Sequence, residues 1–443
     1  MLIYSNKCYL RHNRGMEKPQ KTDRELTDAI ESVVREAIEG MEFDAEKRLG
    51  RPTVLPTLVL WAGMLVCVAR GFSSQLDVWR LLTRDGFWDH ERVSMSDEGI
   101  YKRLKRAASD SMERIYKAVT QLILQRRAGQ ASDEKKLAPF AAGVYALDEM
   151  TLDAVSKRLP RLRQIAGTVL PGKVAALFDL RSQMWHHVQF RSEVKQNEKV
   201  AARDMIEVLP VGSLILADMG YFAFAWFDDL TKLGHYWVSR MRAKTSYTIK
   251  HTLYKRDGVL DAIVWLGAYR ADRAGHAVRL VSFSRNGKTW AYITNVLDPS
   301  QLSIIQIAQL YARRWDIEMM FNMIKTHLNL HMLWSSHAHV VAHQLFAVFT
   351  IAQIILGIRS DIAQQAKADP FEISLDLLIR WLPRIARDGH DPVQFMVENG
   401  RAMLIIRPST RTIIEAPNPP LSDYTPLLSD ESLIRHERYA GKA

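Results

Sequence analysis

The spacing of apolar residues divides the chain into stretches of different secondary structure. Between residues 22 and 136, apolar positions recur every three or four residues and strand-like alternation is absent, so we predict helices there. From residue 137 to about residue 300, short apolar runs and alternating patterns separated by turn residues predict strands. Two later apolar patterns, Leu302–Leu328 and His339–Ile358, return to helical spacing. The chain is therefore predicted to be a mixed α/β protein.

The first strands of the central stretch end in acidic residues. In chain order we predict a strand over Val144–Leu147, a hairpin made of Lys173–Leu180 and Met184–Arg191, a helix over Asn197–Val208, and a strand over Ser213–Ala217. Asp148 closes the first strand and Asp218 closes the fourth. This order is that of a ribonuclease-H-like core, and carboxylates leaving neighbouring strands of one sheet lie side by side, as divalent metal binding requires.

A β-rich insertion is predicted to follow this core. Residues 239–300 alternate β-forming residues with turn residues at Asp257-Gly258, Gly267 and Asn286-Gly287, and the last pair is a strong hairpin signal. The domain prediction begins with an upstream extension or disordered segment over 1–21, a helical region over 22–136 and the first part of the core over 137–238. It continues with the insertion over 239–300, a core helix over 301–335, and a helical C-terminal region with an irregular tail over 336–443.

The charge balance favours a polyanionic partner. Lys and Arg total 60 against 49 Asp and Glu, a net charge of +11 and a pI of about 9.5, which points to nucleic acid or an anionic membrane surface. The alternative that the chain is a peripheral membrane protein is supported by its charge alone. The longest unbroken apolar run, Leu58–Ala69, is shorter than the ~20 residues that span a bilayer. We therefore expect no membrane association.

Cysteine usage and the start of the chain favour a reducing cytosol. The two cysteines, Cys8 and Cys67, lie in no CxxC pattern, which leaves disulfide frameworks and cysteine-based zinc sites without support. The segment after Met1 does not resemble a secretory signal, and Met16 is an alternative start. Because GxxxxGK[ST] and GxGxxG are both absent, we expect no nucleotide cofactor.

One helix of the N-terminal region combines a cap with a basic face. Ser96 can cap a helix whose first turn is acidic. Its basic residues, which we predict to contact DNA, are Lys102, Arg103, Lys105 and Arg106. A solvated amphipathic helix is the alternative, since no helix-turn-helix signature accompanies it.

The segment Tyr311–Lys325, YARRWDIEMMFNMIK, contains the most informative pattern in the chain. At about 100° per residue, Tyr311, Arg314, Glu318 and Lys325 share one narrow helix face. This face offers a metal-binding carboxylate flanked by phosphate-binding groups. Taken alone, it is more typical of a solvated ion pair between Arg314 and Glu318.

This segment closely resembles the signature Y-x2-R-x3-E-x6-K of the YREK transposases, the insertion-sequence group of the Tn-five and Tn-ten transposases, and matches it in every residue type and spacing. Asp218, followed by Met219, Gly220 and Tyr221, resembles the family's D-x-G-[YF] motif. The family usually has a small residue and then Thr after its first Asp, whereas Glu149 and Met150 follow Asp148. Glu149 is therefore an alternative for the role of Asp148.

The resemblance implies a DDE transposase in which Asp148, Asp218 and Glu318 are catalytic and bind two Mg²⁺ ions, with Mn²⁺ as a substitute. Two such ions can activate a water or 3′-OH and stabilise the leaving oxygen of an in-line displacement. The DNA-binding residues that it implies are Tyr311, Arg314, Lys325, Arg240 at the end of the fifth core strand, and Trp290, which corresponds to a base-stacking Trp. For Trp290, a place in the core is the alternative.

The expected activity is cut-and-paste transposition of double-stranded DNA, acting on terminal inverted repeats and target DNA, with or without a hairpin intermediate. A homodimer in a synaptic complex is implied, as is a location in the bacterial cytoplasm with nucleoid association when DNA is bound. Two alternatives are a domesticated DNA-binding regulator without cleavage and another ribonuclease-H-like nuclease.

The histidine pairs His327/His331 and His339/His343 could bind zinc, but neither has a nearby Cys or an HExxH pattern. Trp315 and Met319 are expected in the core.

Overall fold

A computed structural model describes residues 28–39, 41, 54–72, 74–127, 137–152, 172–191, 198–267, 273–285, 287–330, 333–335, 337–409, 411, 413–428 and 433. The predictions for residues 1–21 and for Cys8, Asn197, Asn286 and His331 lie outside these residues.

The described N-terminal region is helical, as predicted. Its helices are α1 (Asp28–Glu39), α2 (Thr57–Ala69), α3 (Gln75–Arg80), α4 (Asp97–Arg106) and α5 (Ser111–Arg127). The cap predicted for α4 is confirmed, because the Ser96 side chain accepts a hydrogen bond from the backbone N–H of Gly99 at 3.2 Å. Within this region α2 is buried over almost its whole length, which explains its apolar sequence.

The nine strands of the described residues form one sheet. They are β1 (Val144–Thr151), β2 (Lys173–Asp179), β3 (Met184–Arg191), β4 (Leu214–Ala217), β5 (Tyr236–Arg240), β6 (Tyr247–Arg256), β7 (Val259–Leu266), β8 (Val278–Arg285) and β9 (Lys288–Thr294). Their order is β3-β2-β1-β4-β5-β9-β8-β7-β6. β4 is parallel to β1 and to β5, and the other neighbours are antiparallel. The mixed α/β class and the predicted β2–β3 hairpin are confirmed.

The predicted β-rich segment continues the same sheet. β9 pairs with β5, placing Arg240 opposite Tyr292, and β6 to β8 extend the sheet beyond β9. The predicted turn between β6 and β7 is confirmed, since Asp257 and Gly258 both have positive φ, 50° and 77°. That pair of angles is the one a two-residue hairpin needs.

Helices cover both faces of the sheet. On one face, α6 (Glu198–Ile206) and α7 (Phe224–Lys232) contribute to a core that also contains Leu147 and Ala217. On the other face, the core includes Ala146 and Leu216 together with α8 (Ile304–Ala312), α9 (Trp315–Thr326) and α10 (Ala338–Gln365). Successive strand residues alternate between the two cores, as the pleat requires.

The C-terminal region continues with α11 (Leu375–Arg387) and α12 (Pro392–Asn399) and then becomes mostly irregular over residues 413–428. α10 is, among the described residues, the one helix long and apolar enough to cross a membrane, but it is almost completely buried and packs against α5 and α2. It is the central helix of this part of the core, longer than the predicted His339–Ile358.

Two predicted boundaries are wrong. The single helix expected over Leu302–Leu328 is two helices, because around Arg313 and Arg314 the backbone hydrogen bonds switch from four-residue to three-residue spacing. The first strand does not end before Asp148, because its antiparallel pairing with β2 continues to Thr151 after the parallel pairing with β4 has stopped at Leu147.

Candidate active site

Asp148 and Asp218 lie side by side at the point where two parallel strands separate. The last residue pair between β1 and β4 joins Leu147 to Ala217, and each aspartate is the next residue along the chain. Both side chains are half-buried. The third predicted acid, Glu318, lies in the first turn of α9, which packs against β1. The two strands and this helix therefore bring the predicted acids to one region.

The surroundings of Asp148 disfavour its charged carboxylate form. Burial raises the pKa of this carboxyl to about 6, and the negative charges of Glu318 and Asp218 add to the rise. A hydrogen bond from the Glu149 N–H at 2.8 Å and the positive charge of Arg314 lower the pKa in part. Because these charges all act on Asp148, the four side chains are close enough to interact. A cation placed here would relieve the repulsion between the carboxylates.

Arg314 and Glu318 form an ion pair in the same region. Arg314 Nη1 donates to Glu318 Oε1 at 2.6 Å, and the Arg314 side chain is 7% exposed against 34% for Glu318. Burial alone would lower the pKa of Arg314, but the hydrogen bond to Glu318 and the nearby Tyr311 and Asp218 raise it. The ion pair foreseen from the spacing is therefore present, but it is largely desolvated, unlike a solvated surface pair.

Aromatic and basic side chains continue from this point onto the sheet. The Arg314 guanidinium lies 5.8 Å from the ring centre of Tyr311, which in turn is 5.4 Å from Tyr292. Tyr292 stacks near Trp290, and the Arg240 guanidinium lies 5.2 Å over the Trp290 ring. The structure therefore brings Arg240, Trp290 and Tyr311 together although they are far apart in sequence. Sequence reasoning missed Tyr292, which only the β5–β9 pairing places here.

Glu149 forms an ion pair with Lys173, away from the three predicted acids. Its carboxylate forms a 2.6 Å ion pair with Lys173, and both side chains are at most 10% exposed. Neighbouring residues of a strand point to opposite faces of the sheet, so Glu149 faces away from the side on which Asp148 lies. The geometry favours Asp148 over Glu149 for the predicted role.

The remaining residues of α9 differ in their placement. Lys325 lies half-buried in the last turn. Trp315 and Met319, expected in the core, are 58% and 39% exposed, so that expectation is wrong. A signal was available in the sequence, since both residues directly follow members of the polar face, Arg314 and Glu318.

The basic residues predicted to bind DNA on α4 divide into two groups. Lys102 is exposed and pairs with Glu98, and Arg106 is exposed. Arg103 turns inward and donates hydrogen bonds to the Leu55 carbonyl and the Thr57 hydroxyl. Lys105 lies 5.3 Å over the ring of Tyr101. Of these four residues, Lys102 and Arg106 are exposed, whereas Arg103 and Lys105 are half-buried.

The donor set suits a hard divalent cation, but it is not gathered into a metal cluster. Among the described residues, no three carboxylate, imidazole or thiol groups are positioned to share a metal ion, and Glu318 is engaged by Arg314. Asp148, Asp218 and Glu318 supply only oxygen atoms, the ligands that Mg²⁺ prefers. The histidines considered for zinc are placed otherwise: His343 packs in the core against Trp61, and His327 faces Asp376.

Residues 158–353 match a domain family described as the transposase DDE domain. The chain is 26% identical over 179 residues to a putative transposase, y4zB, of Sinorhizobium fredii, covering 39% of this chain and 49% of the relative. It is 22% identical over 254 residues to the transposase for insertion sequence element IS231F of Bacillus thuringiensis, covering 44% and 53%. A probable transposase for IS5377 of Geobacillus stearothermophilus is 23% identical over 265 residues, covering 58% and 66%.

The chain spans about half the length of the first of these relatives. Among solved structures, it resembles a piggyBac transposase synaptic complex with hairpin DNA, at a TM-score of 0.39 and 11% identity over 92% of this chain and 85% of that one. The matched domain includes Asp218 and Glu318 and begins after Asp148. Residues 158–353 therefore resemble a transposase DDE domain, and the relatives named by element are transposases, or probable transposases, of bacterial insertion sequences.

Proposed function

We propose that this protein is a transposase of the YREK group that cleaves the ends of an insertion sequence and joins them to target DNA. The observation that carries the proposal is the convergence of Asp148, Asp218 and Glu318 from β1, β4 and α9. The complete Tyr311-Arg314-Glu318-Lys325 signature accompanies it. We further propose that β1 to β5 are a ribonuclease-H-like core and that β6 to β9 are an insertion into it.

The three acids would hold two Mg²⁺ ions, or Mn²⁺ in their place. When bound, such ions activate the attacking water or 3′-OH and stabilise the leaving oxygen. The raised pKa of Asp148 supports this assignment, because burial, with a smaller contribution from Glu318 and Asp218, makes the carboxylate form costly until a positive charge arrives. Metal binding would therefore displace a proton from Asp148 below about pH 6.

Arg314 has two possible partners in this scheme. Without DNA, its guanidinium neutralises Glu318. A DNA phosphate offers the same guanidinium a second anion with matching geometry. We propose that a phosphate draws Arg314 away and leaves Glu318 available to complete the acidic site.

The aromatic and basic side chains beside the acids would hold the DNA end. Tyr311 and Lys325 contact phosphates, Arg240 binds the backbone, and Trp290 stacks on an unpaired base. Arg240 already lies over the Trp290 ring, so both can act on one nucleotide. Cleavage either with or without a hairpin intermediate is compatible with this arrangement.

The proposed partners are double-stranded DNA, as terminal inverted repeats and as target, and a second copy of the chain in the synaptic complex. The helical N-terminal region would contribute sequence-independent contacts through Lys102 and Arg106. The proposed location is the bacterial cytoplasm, with nucleoid association when DNA is bound.

The test is cleavage of duplex DNA taken from the sequence that flanks the gene, with and without Mg²⁺, followed by transfer to a supercoiled plasmid. We expect nicks at the inverted repeats and products joined to the plasmid. Asp148→Ala, Asp218→Ala and Glu318→Ala should each abolish both steps while leaving DNA binding intact. Asp423→Asn is the control, because Asp423 pairs with Arg256 on β6 at the far edge of the sheet.

The alternatives predict different products. A regulatory derivative would bind the repeats without nicking them. Another ribonuclease-H-like nuclease would cut without joining. If the unaltered protein neither nicks nor joins these DNAs under any metal condition, the proposed function is wrong.

A further inference from the structure

A buried ionic network lies behind the proposed active site. At its centre is Asp316, a fully buried residue in the first turn of α9. Its Oδ2 atom accepts from Arg313 Nε at 2.9 Å, from Arg411 Nη2 at 3.4 Å and from Gln183 Nε2 at 3.4 Å. An acid with no exposure is rare in proteins unless it has such partners.

The partners of Asp316 come from distant parts of the chain. Arg313 also donates to the Leu180 carbonyl at 3.0 Å, which ties the network to the turn between β2 and β3. Arg411 belongs to the C-terminal segment and pairs with Asp369 at 3.4 Å. Arg359, 1% exposed on α10, donates to the Gln183 side chain at 3.4 Å. The start of α9 is thereby joined to the sheet, to α10 and to the C-terminal segment.

An aromatic ring completes the link to the C-terminal segment. The Arg411 guanidinium lies 3.8 Å and that of Arg359 5.1 Å from the ring centre of Phe371. Contacts of a cation with a ring face strengthen when both groups are shielded from water. Arg411 is therefore held by two anions and a ring and is only 18% exposed.

This network lies at the break between α8 and α9. The two consecutive arginines of the break make separate ion pairs, Arg313 with Asp316 and Arg314 with Glu318. Residues two positions apart on a helix lie on roughly opposite sides, so Asp316 faces inward while Glu318 faces the acidic site. The orientation of the first turn of α9 therefore depends on both pairs.

We infer that Asp316 and Arg411 are positioning residues, which set the orientation of α9 and thereby the place of Glu318 relative to Asp148 and Asp218. This inference rests on the proposed function. The network is not a binding site, because its members are buried against one another. Its role is to hold one carboxylate in the geometry that the reaction needs, and a displacement of about 1 Å at such a group can cost about 100-fold in rate.

The test compares Asp316→Asn, Arg411→Gln and the control Arg256→Gln. Asparagine keeps the shape of Asp316 and removes its charge. Arg256, the last residue of β6, forms an exposed ion pair with Asp423 at 3.2 Å. Like the pair between Arg411 and Asp316, it joins the C-terminal segment to the rest of the protein, but it lies on β6 and not at α9. Three quantities are measured: affinity for the flanking inverted-repeat duplex without metal, single-turnover cleavage rate at saturating Mg²⁺, and amide hydrogen exchange of peptides from residues 313–326.

We expect Asp316→Asn to bind DNA within about twofold of the unaltered protein and to cleave it about 100-fold more slowly, with faster exchange in the first turn of α9. Arg411→Gln should change the same two quantities in the same direction by less, and it serves as the test if Asp316→Asn does not fold. Arg256→Gln should change none of them.

Two results would overturn the inference. One is cleavage by Asp316→Asn and Arg411→Gln at the unaltered rate. The other is a parallel loss of cleavage and DNA binding in proportion to the amount of folded protein, which indicates a purely structural role. If the unaltered protein does not cleave, the proposed function fails and hydrogen exchange decides: faster exchange only in α9 upholds the positioning role, and unchanged exchange refutes it.

Discussion

The ion pair between Asp261 and Arg279 allows a sharp prediction about stability. Both side chains have 0% exposure, and the two Arg279 nitrogens donate to the carboxylate at 2.8 and 2.6 Å. A third donor of Arg279 reaches the Leu302 carbonyl at 2.6 Å. This pair therefore joins β7 and β8 to the residues just before α8, and so connects the outer half of the sheet to the helices that carry the predicted signature.

Asp261→Ala leaves the buried Arg279 guanidinium with a hydrogen bond to the Leu302 carbonyl but without its carboxylate partner. Removing one member of a buried ion pair costs about 3–5 kcal/mol, because the other charge stays desolvated without compensation. Total stabilities are about 5–15 kcal/mol, so the loss is a large share. Replacing both members by apolar residues of similar volume, Asp261→Leu with Arg279→Met, is expected to be nearly neutral.

The assay is urea unfolding followed by circular dichroism. It is applied to Asp261→Ala, and to Asp261→Leu, Arg279→Met and their combination as a thermodynamic cycle. The exposed pair between Arg256 and Asp423 is the control, and its removal should cost less than about 1 kcal/mol. A loss below about 1 kcal/mol for Asp261→Ala, or a double variant as unstable as the sum of the single ones, would refute the reasoning.

Three further predictions concern stability elsewhere. Burial lowers the pKa of His343 to about 4. Between about pH 6.5 and pH 4 the unfolded state therefore binds a proton that the folded state does not, and the free energy of unfolding should fall by about 3 kcal/mol as the pH falls through that range. Thermal melts of His343→Leu should show a flatter pH dependence. Ser303→Ala removes the capping box of α8 and should cost about 1 kcal/mol in denaturant unfolding. Trp315→Ala should change the melting temperature little because Trp315 is exposed, whereas Trp185→Ala, at 1% exposure, should cost about 3–5 kcal/mol.

Much of the site can be predicted because its signals are local. β4 is a run of apolar residues that ends at Asp218, and the β2–β3 hairpin has a turn between two apolar runs. The cap at Ser96 depends on residues three positions apart. Features of this kind need only the hydrophobic period and the chemistry of a few neighbours.

The features that could not be predicted depend on partners far away in sequence. The helix break at Arg313 lies within a stretch whose periodicity continues without interruption, and the residues that hold it, Leu180 and Arg411, are 133 and 95 residues from their partners Arg313 and Asp316. Arg103 looks like a DNA-binding residue until its acceptor, the Leu55 carbonyl, is known. Tyr292 joins the site only through the pairing of β9 with β5.

The central claim is that Asp218 holds a catalytic metal ion, and a change of ligand atom tests it most directly. In Asp218→Cys a thiolate replaces a carboxylate, and Mn²⁺ tolerates sulfur better than Mg²⁺ does. We expect the unaltered protein to cleave the flanking inverted repeats with either metal, and Asp218→Cys to cleave them only with Mn²⁺. Cleavage by Asp218→Cys in Mg²⁺ at the unaltered rate would contradict the claim.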